Sequence, residues 1–505
     1  MADSFFSDEE LDWWGDTAAA APSLPLPARR RPPPRTLAGD LQRLRGGFER
    51  RSPVPASAAG LAALVLVVAL VAVVRLSLGG DDPVEQGAPV PAAASSAEAA
   101  PGPVAAAPAP EPVVLEPGNR GPHVRDLQAA LTALGLFAPD VDGSYGPATA
   151  AAVATFQGAN GLPADGVAGP DTAAALRDSL WERARSDAVA TRRGIAAGVA
   201  AGRLDAATAE SGRAAVAATL RAIRRQSPGR AAVLGLALRD VAAVADGYST
   251  ARAPLFEELR ANVDALAAGP PHIASASVAD GAGVVFRHFP EHGYQFHPLA
   301  SFAKLNNLAR HEERDEAARL AGALVARGVR SGDTLLFQYR FPFGGPDVWT
   351  SGFAQAAGAQ ALARTGVLLD DPELVQAAHA SFRAIERDLT LPVAGGDWIQ
   401  EYSFSAMAVL NAHLQSIISL SEYARLTGNE DADVFVAGLG ETAKSILGQF
   451  DTGCWSLYSL DGNPATASYH AYHVDLLERL ARRTRDPVWR ETGRRWRAYQ
   501  QAGGC

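Results

Sequence analysis

The segment 397–418 reads Asp-Trp-Ile-Gln-Glu-Tyr-Ser-Phe-Ser-Ala-Met-Ala-Val-Leu-Asn-Ala-His-Leu-Gln-Ser-Ile-Ile, a polar and aromatic stretch followed by a helical pattern. The helical part places Met407, Leu410, Leu414, Ile417 and Ile418 at the spacing of one buried helix face. Stripes with similar spacing lie upstream, at Phe302, Leu305 and Leu308 and at Phe353, Ala354, Ala357 and Gly358. Successive buried helices predict an (α/α) barrel-like domain, in which loops and short strands at one end supply the functional residues.

Short β elements precede these helices in the chain. Residues 284–289 and 294–297 are rich in aromatic and β-branched side chains and flank Pro-Glu-His-Gly, which is the pattern of a β-hairpin. Residues 335–341 fit a further strand. The predicted fold class is therefore mainly α, with a small β-hairpin or sheet portion.

Length and charge limit the classes of function. The chain has 505 residues, 48% of them hydrophobic, so it is long enough to bury several cores. Its only lysines are Lys304 and Lys444, and the formal net charge is -9, so we expect no nucleic-acid partner. Cys454 and Cys505 are too few for a disulfide framework, and the sequence leaves their pairing open.

The N-terminal part contains a membrane-spanning pattern. Residues 56–74 carry no charge, and at ~1.5 Å per residue such a helix spans most of a ~30 Å hydrocarbon core. Arginines cluster before this run and acidic residues follow it, which predicts a cytoplasmic N-terminus. A cleaved signal peptide is the alternative, but a long polar segment precedes the run and no clear cleavage site ends it. We favour an uncleaved single-pass anchor in the cell membrane, with the later domains extracytoplasmic.

A short pattern occurs twice further along the chain. Asp142-Gly-Ser-Tyr-Gly-Pro-Ala-Thr149 and Asp165-Gly-Val-Ala-Gly-Pro-Asp-Thr172 each combine a tight Asp-Gly turn with a helix start. With the amphipathic positions around Gln128 and Phe156, they predict a compact three-helix domain. The pattern resembles the type 1 peptidoglycan-binding domain, which implies peptidoglycan as a partner.

Five segments near the C-terminus resemble, in the same order, the C-terminal domain of D-glucuronyl C5-epimerases. They are Asp397-Trp-Ile-Gln-Glu-Tyr402, Val409-Leu-Asn411, Asp451-Thr-Gly-Cys-Trp-Ser-Leu-Tyr-Ser-Leu460, Tyr469-His-Ala-Tyr-His473 and Arg495-Trp-Arg-Ala-Tyr499. Weaker similarity extends to 294–298 and 349–355. The resemblance implies an epimerase-like domain with Glu401 and Tyr469 as the catalytic pair and Tyr402 and Tyr458 as further catalytic-site residues.

The predicted domain order follows from these patterns and from composition. It consists of a Pro/Arg-rich disordered cytoplasmic tail (1–55), a transmembrane signal anchor (56–75), a Pro/Ala-rich linker (76–116), the peptidoglycan-binding domain (117–179), a helical connecting region (180–272) and the epimerase-like domain (273–502).

The implied chemistry requires one base and one acid. Carbon 5 of a hexuronate is next to a carboxylate, so removal of its proton produces an enediolate-like dianion that must be reprotonated from the opposite face. Glu401 is suited to take the proton. Tyr469 is suited to donate one, provided that neighbouring donors make its phenol, with a reference pKa near ~10, acidic enough.

The remaining substrate contacts are also predictions. They are Tyr294, His297, Arg340, Trp349, Gln355, His470 and His473. The spacing of His470 and His473 permits a metal, but no further ligand motif accompanies them, so we predict no metal and no cofactor.

One position departs from the family pattern. Animal members carry an arginine within Tyr-Asp-Leu-Arg, whereas this chain has Tyr458-Ser-Leu-Asp461, and an aspartate repels a uronate carboxylate. Arg340, Arg287 or Lys304 are candidates to compensate.

We therefore predict a membrane-anchored, wall-binding polysaccharide uronyl C5-epimerase that acts on a uronic-acid-containing polysaccharide. The first alternative is a uronate polysaccharide lyase, which uses the same proton abstraction and then expels the group at carbon 4. The second is a catalytically silent peptidoglycan- or glycan-binding protein.

Overall fold

The computed structural model describes residues 113–137, 141–249, 252–267, 277–289 and 292–505, all of which belong to one compact unit. The predicted cytoplasmic tail, the transmembrane anchor and most of the linker lie outside these residues. Within the described part of the chain, no helix combines the length and apolar character needed to cross a bilayer.

The repeated sequence pattern forms two matching turn-helix units. Helices α1 (Pro122–Ala133), α2 (Pro147–Ala159) and α3 (Pro170–Ala200) begin this part of the fold. The buried amide of Gln128 donates to Asp142 Oδ1 at 2.9 Å and accepts from Gly143 N at 2.8 Å. Gln157 makes the equivalent bonds to Asp165 Oδ1 at 2.9 Å and from Gly166 N at 3.0 Å. Each glutamine thus locks the Asp-Gly turn that follows it.

The helical connecting region is continuous with this module. Helix α3 runs through the predicted boundary at 179/180 without a break, and is followed by α4 (Ala206–Ile223), α5 (Pro228–Ala243) and α6 (Pro254–Ala267). Helix α5 packs against α1, where Ser227 Oγ donates to Asp126 Oδ1 at 2.8 Å. A β-carbon at Gly229 would collide with Asp126, so glycine is required at this contact.

The predicted β-hairpin is present. Strands β1 (Ser277–Ala279), β2 (Val285–Phe289) and β3 (Gly293–Phe296) form an antiparallel sheet. Its register pairs His288 with Tyr294 and Phe286 with Phe296, so these side chains share one face. Arg287 and Phe289 lie on the opposite face.

Four helical hairpins follow the sheet. They are α7 (Pro298–Arg310) with α8 (Arg314–Arg327), α9 (Gly352–Leu369) with α10 (Pro372–Asp388), α11 (Leu410–Thr427) with α12 (Glu430–Ile446), and α13 (Ala467–Thr484) with α14 (Pro487–Ala502). The first helices of successive hairpins are neighbours, and each second helix packs on its own partner. The described residues are therefore mainly helical with small antiparallel sheets, as predicted.

The inner helices pack closely where the sequence is rich in small residues. A β-carbon at Gly358 of α9 would lie 2.9 Å from the Phe302 ring of α7, which is closer than van der Waals contact allows. Met407 is a correction to the predicted stripe, because α11 begins at Leu410 and Met407 lies in the loop before it. That loop leads from the predicted site into the helix.

Short ribbons connect the hairpins. They are β4 (Val329–Ser331) with β5 (Thr334–Leu336), β6 (Gln338–Tyr339) with β7 (Trp349–Thr350), and β8 (Thr390–Val393) with β9 (Gly396–Ile399). The single strand predicted over 335–341 is divided at Phe337. The part before Phe337, β5, pairs with the preceding strand β4, whereas the part after it, β6, pairs with the following strand β7.

Candidate active site

The connectivity of the hairpins gathers four loops at one end of the helical domain. In a series of antiparallel helix pairs, every first helix runs in the same direction, so the segments that enter these helices meet at the same end. His297 and Ser351 are the N-caps of α7 and α9, Glu401 precedes α11, and Tyr458 precedes α13. Tyr469 lies in the first turn of α13.

Glu401 is a buried carboxyl group, with a side chain that is 2% exposed. Its Oε1 lies 3.5 Å from the hydroxyl of Ser351, and its Oε2 has no hydrogen-bond partner in the described structure. Burial raises the pKa of Glu401 to about 8, against a smaller lowering by the Ser351 hydroxyl. At neutral pH the group is therefore mostly protonated, and when it ionises it is a stronger base than an ordinary glutamate.

The residues next to Glu401 contact the start of α9 through backbone hydrogen bonds and the start of α11 through an aromatic side chain. Gly352 N donates to Gln400 O at 2.8 Å, and Ser403 N donates to Thr350 O at 2.9 Å. On the other side, the indole of Trp398 stacks on the His413 ring of α11 at 3.8 Å. Glu401 is thus held between the start of α9 and the start of α11.

Tyr402 and Tyr458 lie near this carboxyl group, and Tyr469 lies beside Tyr458. The rings of Tyr458 and Tyr469 meet edge to face, with centroids 4.9 Å apart, and the phenols of Tyr402 and Tyr458 are hydrogen-bonded to each other. Burial, followed by the charge of Glu401, raises the pKa of Tyr402 well above its usual value. Burial, followed by the neighbouring Tyr402, does the same to the pKa of Tyr458. The structure therefore brings together all four predicted catalytic residues.

The loop that carries Tyr458 docks on the start of α11. Leu410 N donates to Tyr458 O at 3.0 Å, and Tyr458 N donates to Asn463 O at 2.7 Å. Beside it, Asn411 is 1% exposed, and its Oδ1 has no hydrogen-bond partner within the described residues. Asn411 belongs to Val409-Leu-Asn411, one of the segments that resemble the epimerases, but its sequence context predicted no role for it.

An aromatic wall adjoins the tyrosines. The predicted substrate contact Trp349 is 2% exposed, stacks on Tyr339 at 4.0 Å and lies 5.7 Å from the ring of Tyr402. Phe343 and Phe404 are half-buried, with rings 6.1 Å and 5.8 Å from that of Tyr402. Sequence reasoning missed Tyr339, Phe343 and Phe404, although the run Tyr-Arg-Phe-Pro-Phe at 339–343 was a visible signal.

Two other predicted substrate contacts, Gln355 and His470, use their polar side-chain atoms in hydrogen bonds within the fold. Gln355 Oε1 accepts from Phe337 N at 3.1 Å, and its Nε2 donates to Ser381 Oγ at 3.0 Å and to Leu335 O. His470 contacts Ser456 Oγ at 2.8 Å and Trp496 O at 3.0 Å through its two ring nitrogens.

His473 also contacts the Ser456 hydroxyl, at 2.9 Å. Burial, followed by the charge of the neighbouring His470, lowers the pKa of His473 to about 3, so the ring is neutral. Gln355 and His470 thus use both of their polar ends within the fold, whereas His473 Nε2 has no hydrogen-bond partner among the described residues.

The two predicted substrate contacts in and beside strand β3, Tyr294 and His297, lie in different environments. His297 accepts from Ala300 N through Nδ1 at 3.1 Å, and its ring lies 5.5 Å from that of Tyr339, at the edge of the aromatic wall. Tyr294 lies on the opposite sheet face, beside His288, and its backbone is bonded to Asn262 of α6. The structure does not bring Tyr294 to the tyrosine cluster.

Arg340 also lies away from the cluster. Because side chains alternate along an extended chain, Tyr339 and Phe341 face the aromatic wall whereas Arg340 faces the opposite way. Its guanidinium interacts with Glu258 and Arg327. The structure therefore places Arg340, the first candidate to compensate for the family arginine, outside the tyrosine cluster.

Asp461 is held within its own turn. Its carboxylate accepts from Ser459 Oγ and from Asn463 Nδ2, the latter at 3.0 Å. It nevertheless contributes to the raised pKa of Tyr458, so its charge is felt at the site. Among the described residues, no group of three or more His, Cys, Asp or Glu side chains is arranged to hold a metal ion.

Comparison with known proteins matches two parts of the chain. Residues 333–498 match the family model of the D-glucuronyl C5-epimerase C-terminus, and residues 120–176 match that of a putative peptidoglycan binding domain. The first match includes the four residues of the tyrosine cluster, which are Glu401, Tyr402, Tyr458 and Tyr469. It does not include Tyr294 and His297. Two separate parts of the chain are thus similar to an epimerase C-terminal domain and to a peptidoglycan-binding domain.

The individual relatives are similar over limited lengths. The D-glucuronyl C5-epimerase of Caenorhabditis elegans is 27% identical over 180 residues, which is 30% of this chain and 29% of the nematode protein. The N-acetylmuramoyl-L-alanine amidase CwlL of Bacillus licheniformis is 47% identical over 74 residues, which is 13% of this chain and 20% of the amidase. The chain spans less than a third of either relative. The match to an endoglucanase structure from Komagataeibacter sucrofermentans covers 41% of this chain and 72% of the endoglucanase chain, with 14% identity and a TM-score of 0.30.

Proposed function

We propose that the C-terminal domain inverts carbon 5 of D-glucuronyl-type residues in an envelope polysaccharide by proton transfer on two faces of the sugar. The observation that supports this most is the cluster itself, in which the buried carboxyl group of Glu401 adjoins Tyr402 of the same loop, Tyr458 of a second loop and, beside Tyr458, Tyr469 of helix α13. Such a cluster supplies both a base and several acids without a cofactor.

The proposed reaction begins with ionised Glu401. Its carboxylate removes the proton from carbon 5, and the electron pair of the C–H bond moves into the adjacent carboxyl group of the sugar. The Tyr469 hydroxyl then donates a proton to carbon 5 from the opposite face. Glu401 then releases its proton to water and Tyr469 takes one from water, so the proton that Tyr469 donates to carbon 5 in each turnover comes from solvent.

The other two tyrosines offset the charge that develops. The hydrogen-bonded phenols of Tyr402 and Tyr458 are donors in a buried environment, where a hydrogen bond to an oxyanion is stronger than in water. Their raised pKa values keep both phenols protonated at neutral pH, as this role requires.

The same proposal places the domain outside the cytoplasmic membrane and against the cell wall. The peptidoglycan-binding-type domain supports a wall location. Cys454 and Cys505 form a disulfide, a bond that persists in oxidising compartments, and this favours an extracytoplasmic site. The arginine asymmetry around residues 56–75 supports a single-pass anchor with a cytoplasmic N-terminus.

The proposal is tested by incubating the protein with a glucuronate-containing polysaccharide in heavy water. We expect deuterium at carbon 5 and a mixture of two epimers. Glu401→Gln and Tyr469→Phe should each reduce exchange by about 10²-fold or more, the range for loss of a positioned acid or base. Tyr423→Phe is the matched control, because Tyr423 is a buried phenol that bonds to His379 and Asn429 instead.

The alternatives give different products. An unsaturated, ultraviolet-absorbing sugar at a new chain end would identify a lyase. Absence of both exchange and cleavage, with folded protein and several uronate polymers, would favour a silent binding protein.

A further inference from the structure

A cavity of about 210 Å³ lies on the far side of the β6–β7 ribbon from the tyrosine cluster. Its polar lining consists of Arg252, Arg340, Ser249 and Gln338, and the rest is formed by valine and leucine side chains. No acidic side chain lines this cavity in the described structure. Two guanidinium groups therefore face one small, partly apolar space.

Arg340 is the buried member of this pair. It is 5% exposed, its Nη2 makes a single long bond of 3.4 Å to Arg327 O, and its Nη1 has no hydrogen-bond partner in the described part of the chain. A guanidinium offers five N–H donors in a planar fork, so most of the capacity of Arg340 is unused. Burial without a full set of partners is costly unless an anion supplies them.

The nearest carboxylates do not fill this role. Glu258 attracts Arg340, but the described residues show no ion pair between them within 4.0 Å. Burial raises the pKa of Glu258 to about 7, so it is only partly charged at neutral pH. Glu257, which also attracts Arg340, is ion-paired with Arg327.

We propose that this cavity binds one hexuronate residue through its carboxylate, at a position separate from the reacting sugar. Planar carboxylates match the guanidinium fork, and Ser249 and Gln338 can bond to sugar hydroxyls. The aliphatic side chains suit the C–H face of a pyranose ring. The choice of a uronate, rather than another carboxylate, rests on the proposed function.

Glucuronate is the probe for this site, with glucose and inorganic phosphate as comparisons. Hydrogen–deuterium exchange on the full chain should show glucuronate protecting segments 244–249 and 329–340, and glucose should not protect them. Arg252→Ala should weaken this protection about tenfold or more, the change expected for loss of a charged hydrogen-bonding partner. Arg252 is half-buried, so this variant should fold even if Arg340→Gln does not.

Two controls separate this site from the reaction. Arg260→Ala removes an exposed arginine from the same helix as Leu255, and Glu401→Gln removes the proposed base; both should keep full protection. No protection by glucuronate, unchanged protection in Arg252→Ala, or equally strong protection by phosphate would overturn the uronate site. Protection without any carbon 5 exchange would instead discard the proposed function and leave this site standing.

Discussion

In the repeated module, Gln128 and Gln157 are buried, and each uses both ends of its amide within its own repeat. At the tyrosine cluster, the equally buried Glu401 keeps one carboxylate oxygen without a partner in the described structure. Both regions carry recognisable sequence patterns, but the polar residues of the first hold a turn in place. In the second, Glu401 Oε2 remains without a hydrogen-bond partner among the described residues, as the proposed reaction requires of a base.

A buried polar residue in a recognisable motif can therefore have one of two physical roles, depending on whether its hydrogen bonds are satisfied within the fold. A satisfied buried polar group contributes to stability, and its loss unfolds the structure around it. An unsatisfied one costs stability and is retained where function needs it. Mutation of the two kinds should therefore give opposite results.

The largest expected contrast is in Glu401→Gln. Exchange should fall by about 10²-fold or more, whereas stability should be retained and should exceed that of the wild type at alkaline pH. The folded-state pKa of Glu401 is about 8, which is above its unfolded value. The contribution of this pKa difference to the free energy of unfolding is therefore complete below about pH 4 and is lost as pH rises through about 8. Glutamine does not ionise, so the variant lacks this loss.

Thermal unfolding of both proteins from pH 5 to pH 9 measures this effect. A variant that is equally destabilised at every pH would show that Glu401 is a structural residue like the two glutamines.

The opposite result is expected for Gln157→Ala in the module. The change leaves Gly166 N and the Asp165 turn without their buried partner, which should cost about 2–4 kcal/mol. Chemical denaturation should show the loss, and binding to purified sacculi should decrease only as far as the folded fraction decreases. Thr155→Ala, an exposed position on the same helix, is the control. Loss of sacculus binding by a fully folded Gln157→Ala protein would instead make Gln157 a ligand contact.

The smallest effect is expected from Ser351→Ala. The Ser351 hydroxyl lowers the pKa of Glu401, so its removal should move that pKa upward. The wild-type exchange rate should rise with pH through about 8, and the variant should show the same curve displaced to higher pH, with a few-fold lower rate at pH 7. Ser351→Thr keeps the hydroxyl and should restore the wild-type curve. A lower rate with an unchanged pH profile would mean that Ser351 acts only as the N-cap of α9.

Much of the fold is visible in the sequence because its signals are local. The stripes through α7, α9 and most of α11, the hairpin of β2 and β3, and the Asp-Gly turns all follow from backbone geometry repeated over a few residues. Met407 was placed on a helix wrongly, because its spacing fits the stripe but the chain enters α11 only at Leu410.

The sequence by itself determined the helix pairs, the repeated turn and the three segments that carry Glu401 with Tyr402, Tyr458 and Tyr469. Only the tertiary structure decided which polar atoms remain available in the space where those segments meet. Gln355 and His470 form hydrogen bonds with partners distant in the chain, and Arg340 lines a cavity whereas its neighbour Tyr339 stacks on Trp349. The physical reason is that a local pattern sets the direction of a side chain relative to its own backbone, whereas its partners come from segments far away in the chain.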